Sequence, residues 1–325
     1  MTEHTLGVVG LGLIGGSLLR AADAAGWKVR GYTRSAATAT QVAQAGFDVT
    51  TSLEELLVPA AGTDTLVVLA VPLPAVAGVL QAVARHAPRC WLSDVVSVKQ
   101  PVAAAVAQHA PHARYVGGHP MAGGSTSGWA AGSEELFRAA AWMVGSDDGT
   151  DPQVWAQVAQ LALDCGAQVI PAGAADHDAA VARVSHLPHV LAAVLATVGA
   201  GGGPLALALG AGSFRDGTRV AGSAPELVRA MCEANREALL DALDDALGRL
   251  GAARGSLAST GALEATISAG FVARRAFETA HDGRPRTTQR VNLTSPGAFA
   301  RLRRLGQAGG RVVALHGMTR CEIAL

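Results

Sequence analysis

The N-terminal glycine motif constrains the fold of this chain more than any other feature. Gly10-Leu11-Gly12-Leu13-Ile14-Gly15 follows the apolar run Thr5 to Val9 and precedes a helix-forming stretch. In a strand–turn–helix unit of this kind, the first glycine permits a tight turn, the second lets the backbone approach a pyrophosphate, and the third lets helix and strand pack closely. The pyrophosphate is bound by the free N–H groups and the dipole of the helix N-terminus. The motif predicts a dinucleotide-binding βαβ unit with Gly10, Gly12, Leu13, Ile14 and Gly15 at the cofactor; the alternative is a glycine-rich turn that binds nothing.

Short β-rich runs alternate with alanine-rich stretches up to about residue 171. Strands separated by helices favour right-handed crossovers and an α/β fold with a mostly parallel sheet. Ligands of such sheets bind at the carboxyl ends of the strands. The predicted strands are Leu6–Gly10, Lys28–Thr33, Asp48–Thr50, Thr65–Val71, Cys90–Val95, Arg114–Gly117, Ala141–Gly145 and Gln168–Pro171.

The β pattern disappears from Ala174 onward, where long helices are predicted over Asp176–Ala200, Ala224–Leu250 and Ser256–Ala280. Apolar residues occupy most sides of these helices, which is typical of buried helices. We therefore expect this half of the chain to pack deeply, against a second subunit.

The last segment of the chain is rich in arginine and poor in acidic residues. Short strands are predicted at Val291–Leu293 and Arg311–Leu315, on either side of a helix over Pro296–Leu305. Such a segment is consistent with a small regulatory appendage or with a solvated basic tail, and the sequence favours neither.

Composition limits the classes of partner. The formal net charge is zero, so there is no electrostatic case for binding nucleic acid or an anionic membrane. No stretch reaches the roughly 18 to 20 uninterrupted apolar residues that a membrane span needs, and Leu187 to Val198 is too short. No signal peptide is visible. The four cysteines are scattered without a C-x-x-C pair, as in proteins of a reducing cytosol. We expect a cytoplasmic protein without a metal site.

The end of the second predicted strand bears on cofactor choice. NAD-binding enzymes place an acidic residue there to bind the ribose hydroxyls, whereas this chain has Thr33-Arg34-Ser35. A guanidinium and a hydroxyl suit a 2′-phosphate. The pattern favours NADP, bound by Thr33, Arg34 and Ser35 and by Val71 at the end of the fourth strand; if Arg34 instead points to solvent, NAD is accepted too.

Four further motifs carry polar side chains in places suited to chemistry. Two follow predicted strands, and two lie in the helical half; they are Asp94-Val95-Val96-Ser97-Val98-Lys99, Gly117-Gly118-His119-Pro120-Met121-Ala122-Gly123, Ser185-His186-Leu187-Pro188-His189 and Phe214-Arg215-Asp216-Gly217-Thr218-Arg219. Lys99 is one of only two lysines in the chain, and it is expected to pair with Asp94 or to face an anion.

Together with the glycine motif, these segments resemble the prephenate/arogenate dehydrogenase family of tyrosine biosynthesis over roughly residues 5 to 282. The resemblance implies a dinucleotide-binding Rossmann domain (residues 1–172), an all-α substrate and dimerisation domain (173–282) and a basic segment of unknown role (283–325). It also implies a homodimer and an oxidative decarboxylation, in which hydride leaves the ring carbon bearing the hydroxyl, the ring carboxylate departs as CO2 and the ring becomes aromatic.

The resemblance also implies roles for individual residues. His119 matches the catalytic histidine, and a neutral imidazole suits acceptance of the hydroxyl proton near neutral pH. Ser97 matches a serine that links this histidine, the substrate and the nicotinamide; a helix N-cap is its alternative role. Arg219 matches an arginine that binds a substrate carboxylate.

Other residues of the two helical motifs are assigned to the substrate site with them. Asp216 is expected to orient Arg219 from one helical turn away, and Arg215 and His189 are placed near the substrate. His186 is interpreted as structural.

Two departures from the family pattern leave the substrate open. The segment Gly124 to Gly128 lacks a glutamate that the family often has, and Ser223 to Val228 lacks a tryptophan. Prephenate is the preferred substrate; arogenate, or an amino analogue of prephenate in secondary metabolism, is the alternative. A β-hydroxyacid dehydrogenase is disfavoured because no lysine follows Lys99. A non-catalytic NADP-binding sensor would not need His119, Ser97 and Arg219 together.

Overall fold

The computed structural model describes residues 4–124, 126–280 and 287–325. These residues form two compact units. The first comprises the described parts of residues 1–178, 223–234 and 288–325, and the second those of 179–222 and 235–287. The boundary predicted between residues 282 and 283 lies outside the described residues.

A six-stranded sheet forms the centre of the N-terminal half. Its strands are β1 (Thr5–Val9), β2 (Lys28–Tyr32), β3 (Val49–Thr50), β4 (Leu66–Leu69), β5 (Trp91–Asp94) and β6 (Arg114–Val116). The order is β3-β2-β1-β4-β5-β6, and each pairing between neighbours is parallel. The predicted α/β class with a parallel N-terminal sheet is confirmed.

Helices follow the strands of this sheet and make up most of the second unit. In chain order they are α1 (Leu13–Ala24), α2 (Ala36–Gln44), α3 (Leu53–Leu57), α4 (Leu73–His86), α5 (Gln100–His109), α6 (Pro152–Asp164), α7 (Ala174–Val181), α8 (Leu187–Gly201), α9 (Gly203–Ala208), α10 (Gly212–Thr218), α11 (Pro225–Ala234), α12 (Arg236–Thr260), α13 (Glu264–Ala280) and α14 (Ala298–Gln307).

The central strand β4 is apolar and buried on both of its faces. Successive side chains of a strand point to opposite faces. In β4, Leu66 and Val68 accordingly pack into one hydrophobic cluster, and Val67 and Leu69 pack into another. This arrangement produces the continuous apolar runs that are typical of buried parallel strands.

The later strands form a second six-stranded sheet, although the strands at Ala141–Gly145 and Gln168–Pro171 were predicted to belong to the first. They are β7 (Gly118–Pro120), β8 (Ala141–Gly145), β9 (Gln168–Ala172), β10 (Thr288–Asn292), β11 (Arg311–Leu315) and β12 (Arg320–Ala324). The order is β10-β12-β11-β9-β8-β7. Only the β8–β9 pairing among these described strands is parallel.

The chain passes from the first sheet to the second at Gly117-Gly118. A Cβ atom at Gly118 would lie 2.8 Å from the carbonyl oxygen of Asp94, and one at Gly117 would lie 2.9 Å from the Tyr115 hydroxyl. Only glycine allows so close an approach of the backbone. The crossing places His119 in a short strand that the sequence analysis interpreted as a loop.

The C-terminal segment extends the second sheet. The predicted strands and helix correspond to β10, β11 and α14, while β12 was not predicted. Arg303 of α14 donates to the carbonyl oxygen of Ser146 (2.6 Å) and to Asp148 (2.8 Å). A Cβ at Gly306 would overlap the carbonyl oxygen of Pro171, so α14 packs closely on β9.

The helices of the second unit differ in their bounds from the prediction. The helix predicted over Ala224–Leu250 is divided at Asn235, where the backbone leaves helical geometry and the buried side chain amide lies 3.1 Å from Nδ1 of His186. The helix that follows continues to Thr260 and ends at Gly261, which adopts φ +71°. The predicted start of the third helix at Ser256 is therefore wrong.

A π-helical turn over Ala182–His186 joins α7 to α8. Pro188 follows this turn directly, and proline both lacks an N–H group and clashes with the carbonyl group four residues earlier. The wider turn lets the helix continue past it. The resulting helix, Ala174–Gly201, is 28 residues long and by length and composition could cross a membrane, although the sequence analysis found no such segment. This is weak evidence, because apolar helices of soluble proteins pass the same test.

The second unit leaves many apolar side chains exposed in the single chain, so the predicted packing against a second subunit stays a prediction. On α8, Val194 is 54% and Val198 is 68% exposed, and Phe271 on α13 is 66% exposed. Val194 and Val198 are one helical turn apart and so lie on the same side of α8, and extended apolar surface marks an interaction site.

Candidate functional site

The glycine motif has the geometry that a bound dinucleotide requires. Gly10 adopts φ +101°, and a Cβ there would lie 2.5 Å from the carbonyl oxygen of Ala70. A Cβ at Gly15 would overlap the carbonyl oxygen of Gly10, whereas one at Gly12 would have nothing within 4 Å. The first N–H groups of α1, from Leu13 and Ile14, have no partner within the helix. The motif thus leaves open space at a helix N-terminus, as a pyrophosphate needs.

A cavity of about 520 Å³ adjoins the motif and the carboxyl ends of β1, β2 and β4. It is lined by Gly10, Gly12, Tyr32, Thr33, Arg34, Ser35, Leu53, Ala70, Val71, Pro72, Pro74, Ala75, Gly78 and Val79. Six predicted cofactor residues line it, namely Gly10, Gly12, Thr33, Arg34, Ser35 and Val71. Leu13, Ile14, Gly15 and Ser97 do not; the first two contribute backbone N–H groups, and Gly15 provides close packing.

The segment after β2 is preorganised by local hydrogen bonds. Ser35 is the N-cap of α2, and its hydroxyl accepts a bond from the Thr38 N–H (3.1 Å). The Thr33 hydroxyl oxygen accepts a bond from the Ser35 N–H (3.3 Å). The exposed Arg34 lies between them. A guanidinium beside a helix N-terminus forms a cationic rim to the cavity.

A buried ionic network lies beneath β7. The Lys99 ammonium contacts the Asp94 carboxylate and donates to the carbonyl oxygen of Gly118 (2.6 Å). The Tyr115 hydroxyl donates to the second Asp94 oxygen (2.6 Å). Burial lowers the pKa of Lys99, which the Asp94 carboxylate opposes. Burial and the same carboxylate raise the pKa of Tyr115. The predicted pairing of Lys99 with Asp94 is confirmed.

His119 is the first residue of a second buried network, in which three polar side chains are hydrogen-bonded in series. Its Nδ1 lies 2.8 Å from Nε2 of His177, whose Nδ1 lies 2.8 Å from Oδ1 of Asp178. All three residues are buried, with His119 only 7% exposed. Burial opposes ionisation of Asp178, but hydrogen bonds from His177 and from the backbone N–H groups of Gln100 and Lys99 lower its pKa overall.

Sequence reasoning missed His177 and Asp178. The available signal was an adjacent histidine and aspartate just after the predicted strand Gln168–Pro171, at a carboxyl end where sheets of this type bind ligands. Ser97 is half-buried in the loop between β5 and α5. The N-cap of α5 is Lys99, so the alternative role of Ser97 as an N-cap is wrong.

The remaining predicted residues lie in the second unit. Burial lowers the pKa of His189, a hydrogen bond with the Val220 backbone opposes this, and the charge of Arg219 lowers it further. Arg215, Asp216 and Arg219 are exposed. The expected orientation of Arg219 by Asp216 is not seen, since none of the ion pairs among the described residues joins these two side chains. Helix α10 ends at Thr218, and Arg219 begins a 3-10 turn.

The interpretation of His186 as structural is supported by its burial and by its contact with Asn235. Among the described residues no cluster of side chains suits a metal ion. Of the segment Gly124 to Gly128, which departs from the family pattern, Ser125 lies outside the described residues.

Comparison with known proteins identifies the family. The model for the nucleotide-binding domain of prephenate dehydrogenase matches residues 18–171, and that for its dimerisation domain matches residues 173–262. A cyclohexadienyl dehydrogenase from Zymomonas mobilis is 32% identical over 86% of this chain and 98% of its own length. The chain belongs to the prephenate dehydrogenase family.

Two further relatives agree with this assignment. Prephenate dehydrogenase from Bacillus subtilis is 31% identical over 75% of this chain and 67% of its own length. A crystal structure of a Corynebacterium glutamicum protein, provisionally described as a prephenate dehydrogenase, superposes with a TM-score of 0.89 at 44% identity. It covers 96% of this chain and 99% of that one. The chain is thus a dehydrogenase of the prephenate dehydrogenase type with a nucleotide-binding domain.

Proposed function

We propose that this protein catalyses the NAD(P)-dependent oxidative decarboxylation of prephenate to 4-hydroxyphenylpyruvate, a step of tyrosine biosynthesis. The observation that carries the proposal is His119, which lies in its predicted motif and is buried within hydrogen-bonding distance of a second histidine. Two relatives named prephenate dehydrogenase, from Bacillus subtilis and Lactococcus lactis, support the substrate.

The proposed role of His119 is to accept a proton. The bound nicotinamide supplies the hydride acceptor. As hydride leaves the ring carbon, its hydroxyl becomes a carbonyl and must lose its proton, which the neutral imidazole takes. The ring carboxylate then leaves as CO2, and the electrons of the broken C–C bond make the ring aromatic. The carbonyl oxygen takes back the proton from the His119 imidazolium and becomes the phenol of the product. Ser97, on the loop after β5, is proposed to hold the hydroxyl in line with His119.

The proposed substrate contacts are cationic because prephenate is a dianion. Arg219 is proposed to bind a carboxylate through two parallel hydrogen bonds, with Arg215 adding positive charge. Asp216 and His189 complete the proposed set. His189 is the neutral partner, since burial and Arg219 lower its pKa.

Arogenate is the second candidate substrate, because the Zymomonas mobilis relative, which matches 86% of this chain, is named a cyclohexadienyl dehydrogenase. Prephenate and arogenate are both cyclohexadienyl compounds that differ in a keto or amino side chain. For the cofactor, Arg34 and Ser35 at the cavity favour NADP over NAD.

We further propose a cytoplasmic homodimer joined through the second unit. The exposed apolar side chains of α8 and α13 need a partner surface, and a dimerisation-domain model matches residues 173–262, which include α8. The described cysteines are unpaired, as expected in a reducing compartment. Light scattering should give the mass of two chains, and Val198→Glu should shift that mass toward one chain, unlike the exposed control Arg89→Glu in the first unit.

The deciding experiment measures formation of reduced cofactor with prephenate and arogenate, each with NAD and NADP. Turnover of prephenate supports the proposal, and turnover of arogenate alone replaces the substrate. If protein that binds cofactor is inactive in all four mixtures, the proposal is wrong.

A further inference from the structure

His177 and Asp178 form a continuous hydrogen-bonded chain with His119, and this chain constrains where protons lie. Asp178 is ionised, since its pKa is lowered, and a carboxylate can only accept hydrogen bonds. The Nδ1 of His177, 2.8 Å from Asp178, must therefore carry a proton. In a neutral imidazole the other nitrogen is then an acceptor, so Nε2 of His177 accepts from Nδ1 of His119 across 2.8 Å.

The same reasoning fixes the tautomer of His119. Because its Nδ1 carries the proton, its Nε2 holds the lone pair. Of the two neutral forms, only this one can take a proton at Nε2. A free imidazole samples both forms, whereas the chain from Asp178 selects one.

We propose that His177 and Asp178 are positioning residues that hold His119 in its Nδ1–H form and stabilise the imidazolium that forms when Nε2 accepts the substrate proton. This inference rests on the proposed function for the identity of the proton donor. The hydrogen-bonded chain itself does not depend on the substrate.

Asp178 also connects this chain to the loop that carries Ser97. Its Oδ1 accepts the Lys99 N–H and its Oδ2 accepts the Gln100 N–H, both at 2.8 Å. These are the residues at the start of α5, two and three positions after Ser97. The Asp178 carboxylate therefore orients His119 through His177, and it also holds the start of α5 beside Ser97.

Among the described titratable and charged groups around His119, the Asp178 carboxylate is the one that acts on the His119 imidazole. Lys99, which contacts the Gly118 carbonyl, is paired with Asp94, so their charges largely cancel. Tyr115 is neutral because its pKa is raised. Asp147 accepts the N–H of Ala174 at the start of α7. On β8, Met143, which pairs with His119, is uncharged.

The test locates the protons on the histidine rings by NMR and does not require catalytic turnover. NMR of protein with 15N-labelled histidines reports tautomer and pKa for each ring, and His119→Gln identifies the His119 signals. We expect the Nδ1–H form of His119 in the wild type and in His177→Gln, whose amide can accept from His119 and donate to Asp178. In His177→Leu we expect the Nε2–H form to appear. In Asp178→Asn the His119 midpoint should fall by about one pH unit, because a nearby negative charge is lost.

Kinetics provide the second readout. In His177→Leu we expect kcat to fall about 100-fold or more, as when a catalytic histidine loses the carboxylate that sets its tautomer, with KM within about threefold. His177→Gln should recover most of this loss. In Asp178→Asn the acidic limb of the plot of kcat against pH should shift to lower pH, by the same amount as the midpoint of the His119 titration. The exposed controls His112→Gln and Asp176→Asn, the latter on the same helix as Asp178, should change neither readout.

The outcomes separate the two proposals. An Nε2–H form of His119 in the wild type, or an unchanged tautomer in His177→Leu, overturns the positioning role whatever the activity. If the wild type turns over neither substrate but the NMR results are as expected, the proposed reaction is wrong, whereas the positioning role of His177 and Asp178 is supported. Should Asp178→Asn not fold, the two His177 variants carry the test, because they keep the Asp178 carboxylate and its bonds to α5.

Discussion

The ammonium of Lys99 donates a 2.6 Å hydrogen bond to the carbonyl oxygen of Gly118, the residue before His119. Lys99 is 1% exposed and also contacts Asp94, which is fully buried. One of the two lysines of the chain thus lies inside the protein, where it holds β5 and β7 at the point where the backbone changes sheets.

Replacing this lysine should destabilise the protein. Lys99→Met leaves the Asp94 carboxylate buried without its cation, which typically costs about 3–5 kcal/mol in the free energy of unfolding. Urea denaturation followed by tryptophan fluorescence measures this loss, with the exposed Lys28→Met as control. Equal midpoints for the two variants would show that the buried pair is not needed for stability.

The second and third glycines of the nucleotide motif, Gly12 and Gly15, should respond differently to substitution by alanine. Gly15→Ala places a methyl group on the Gly10 carbonyl oxygen, so α1 must move from β1 and the melting temperature should fall. Gly12→Ala meets no neighbour within 4 Å and should fold normally, but its methyl group occupies the space proposed for the pyrophosphate. Calorimetry should show weaker cofactor binding by Gly12→Ala at unchanged stability, and wild-type affinity in that variant would exclude the proposed cofactor position.

The strands of the first sheet could be predicted from sequence because each is a short apolar run between turn signals. Thr65–Val71 was predicted where β4 covers Leu66–Leu69. The second sheet could not be predicted in this way. Its membership depends on long-range pairing, such as Val169 of β9 with Val312 of β11, which local periodicity does not encode.

Residues of the candidate site could be predicted where they belong to a motif within one segment of the sequence. They were missed where their role depends on contacts between distant segments. His119 and the residues around Arg34 were found from local patterns. His177 and Asp178 were not, because their significance comes from a strand 58 residues away from His177 in sequence. The apolar helices of the second unit were predicted to pack against a second subunit, because periodicity shows that a helix is apolar nearly all round but does not show what covers it.

Cofactor preference should depend on Arg34. Because a guanidinium binds phosphate with two parallel hydrogen bonds, Arg34→Ala should raise KM for NADP about tenfold or more and leave KM for NAD within about twofold. Steady-state kinetics with both cofactors measure the change. The exposed Arg89→Ala, outside the cavity, is the control, and a similar rise in KM for both cofactors would refute a role in 2′-phosphate binding.

Arg219 should contribute to substrate affinity more than to the chemical step. Arg219→Ala removes a charge-assisted contact that exists in both the ground and transition states, so KM for prephenate should rise about 10- to 100-fold while kcat changes little. Arg249→Ala, which alters another exposed arginine of the same unit, is the matched control. An unchanged KM in Arg219→Ala would remove this residue from the substrate site.

His119 should be required for turnover but not for cofactor binding. His119→Ala removes the proton acceptor, and general base catalysis typically contributes about 10²- to 10⁴-fold, so kcat should fall by that factor. Cofactor affinity should stay within about threefold, because His119 does not line the cavity at the glycine motif. Turnover assays and calorimetry on the same preparation measure both quantities, with the exposed His112→Ala as control. Loss of cofactor binding in parallel with kcat would indicate that the substitution disturbs the fold around β7, whereas full activity would assign the proton transfer to another residue.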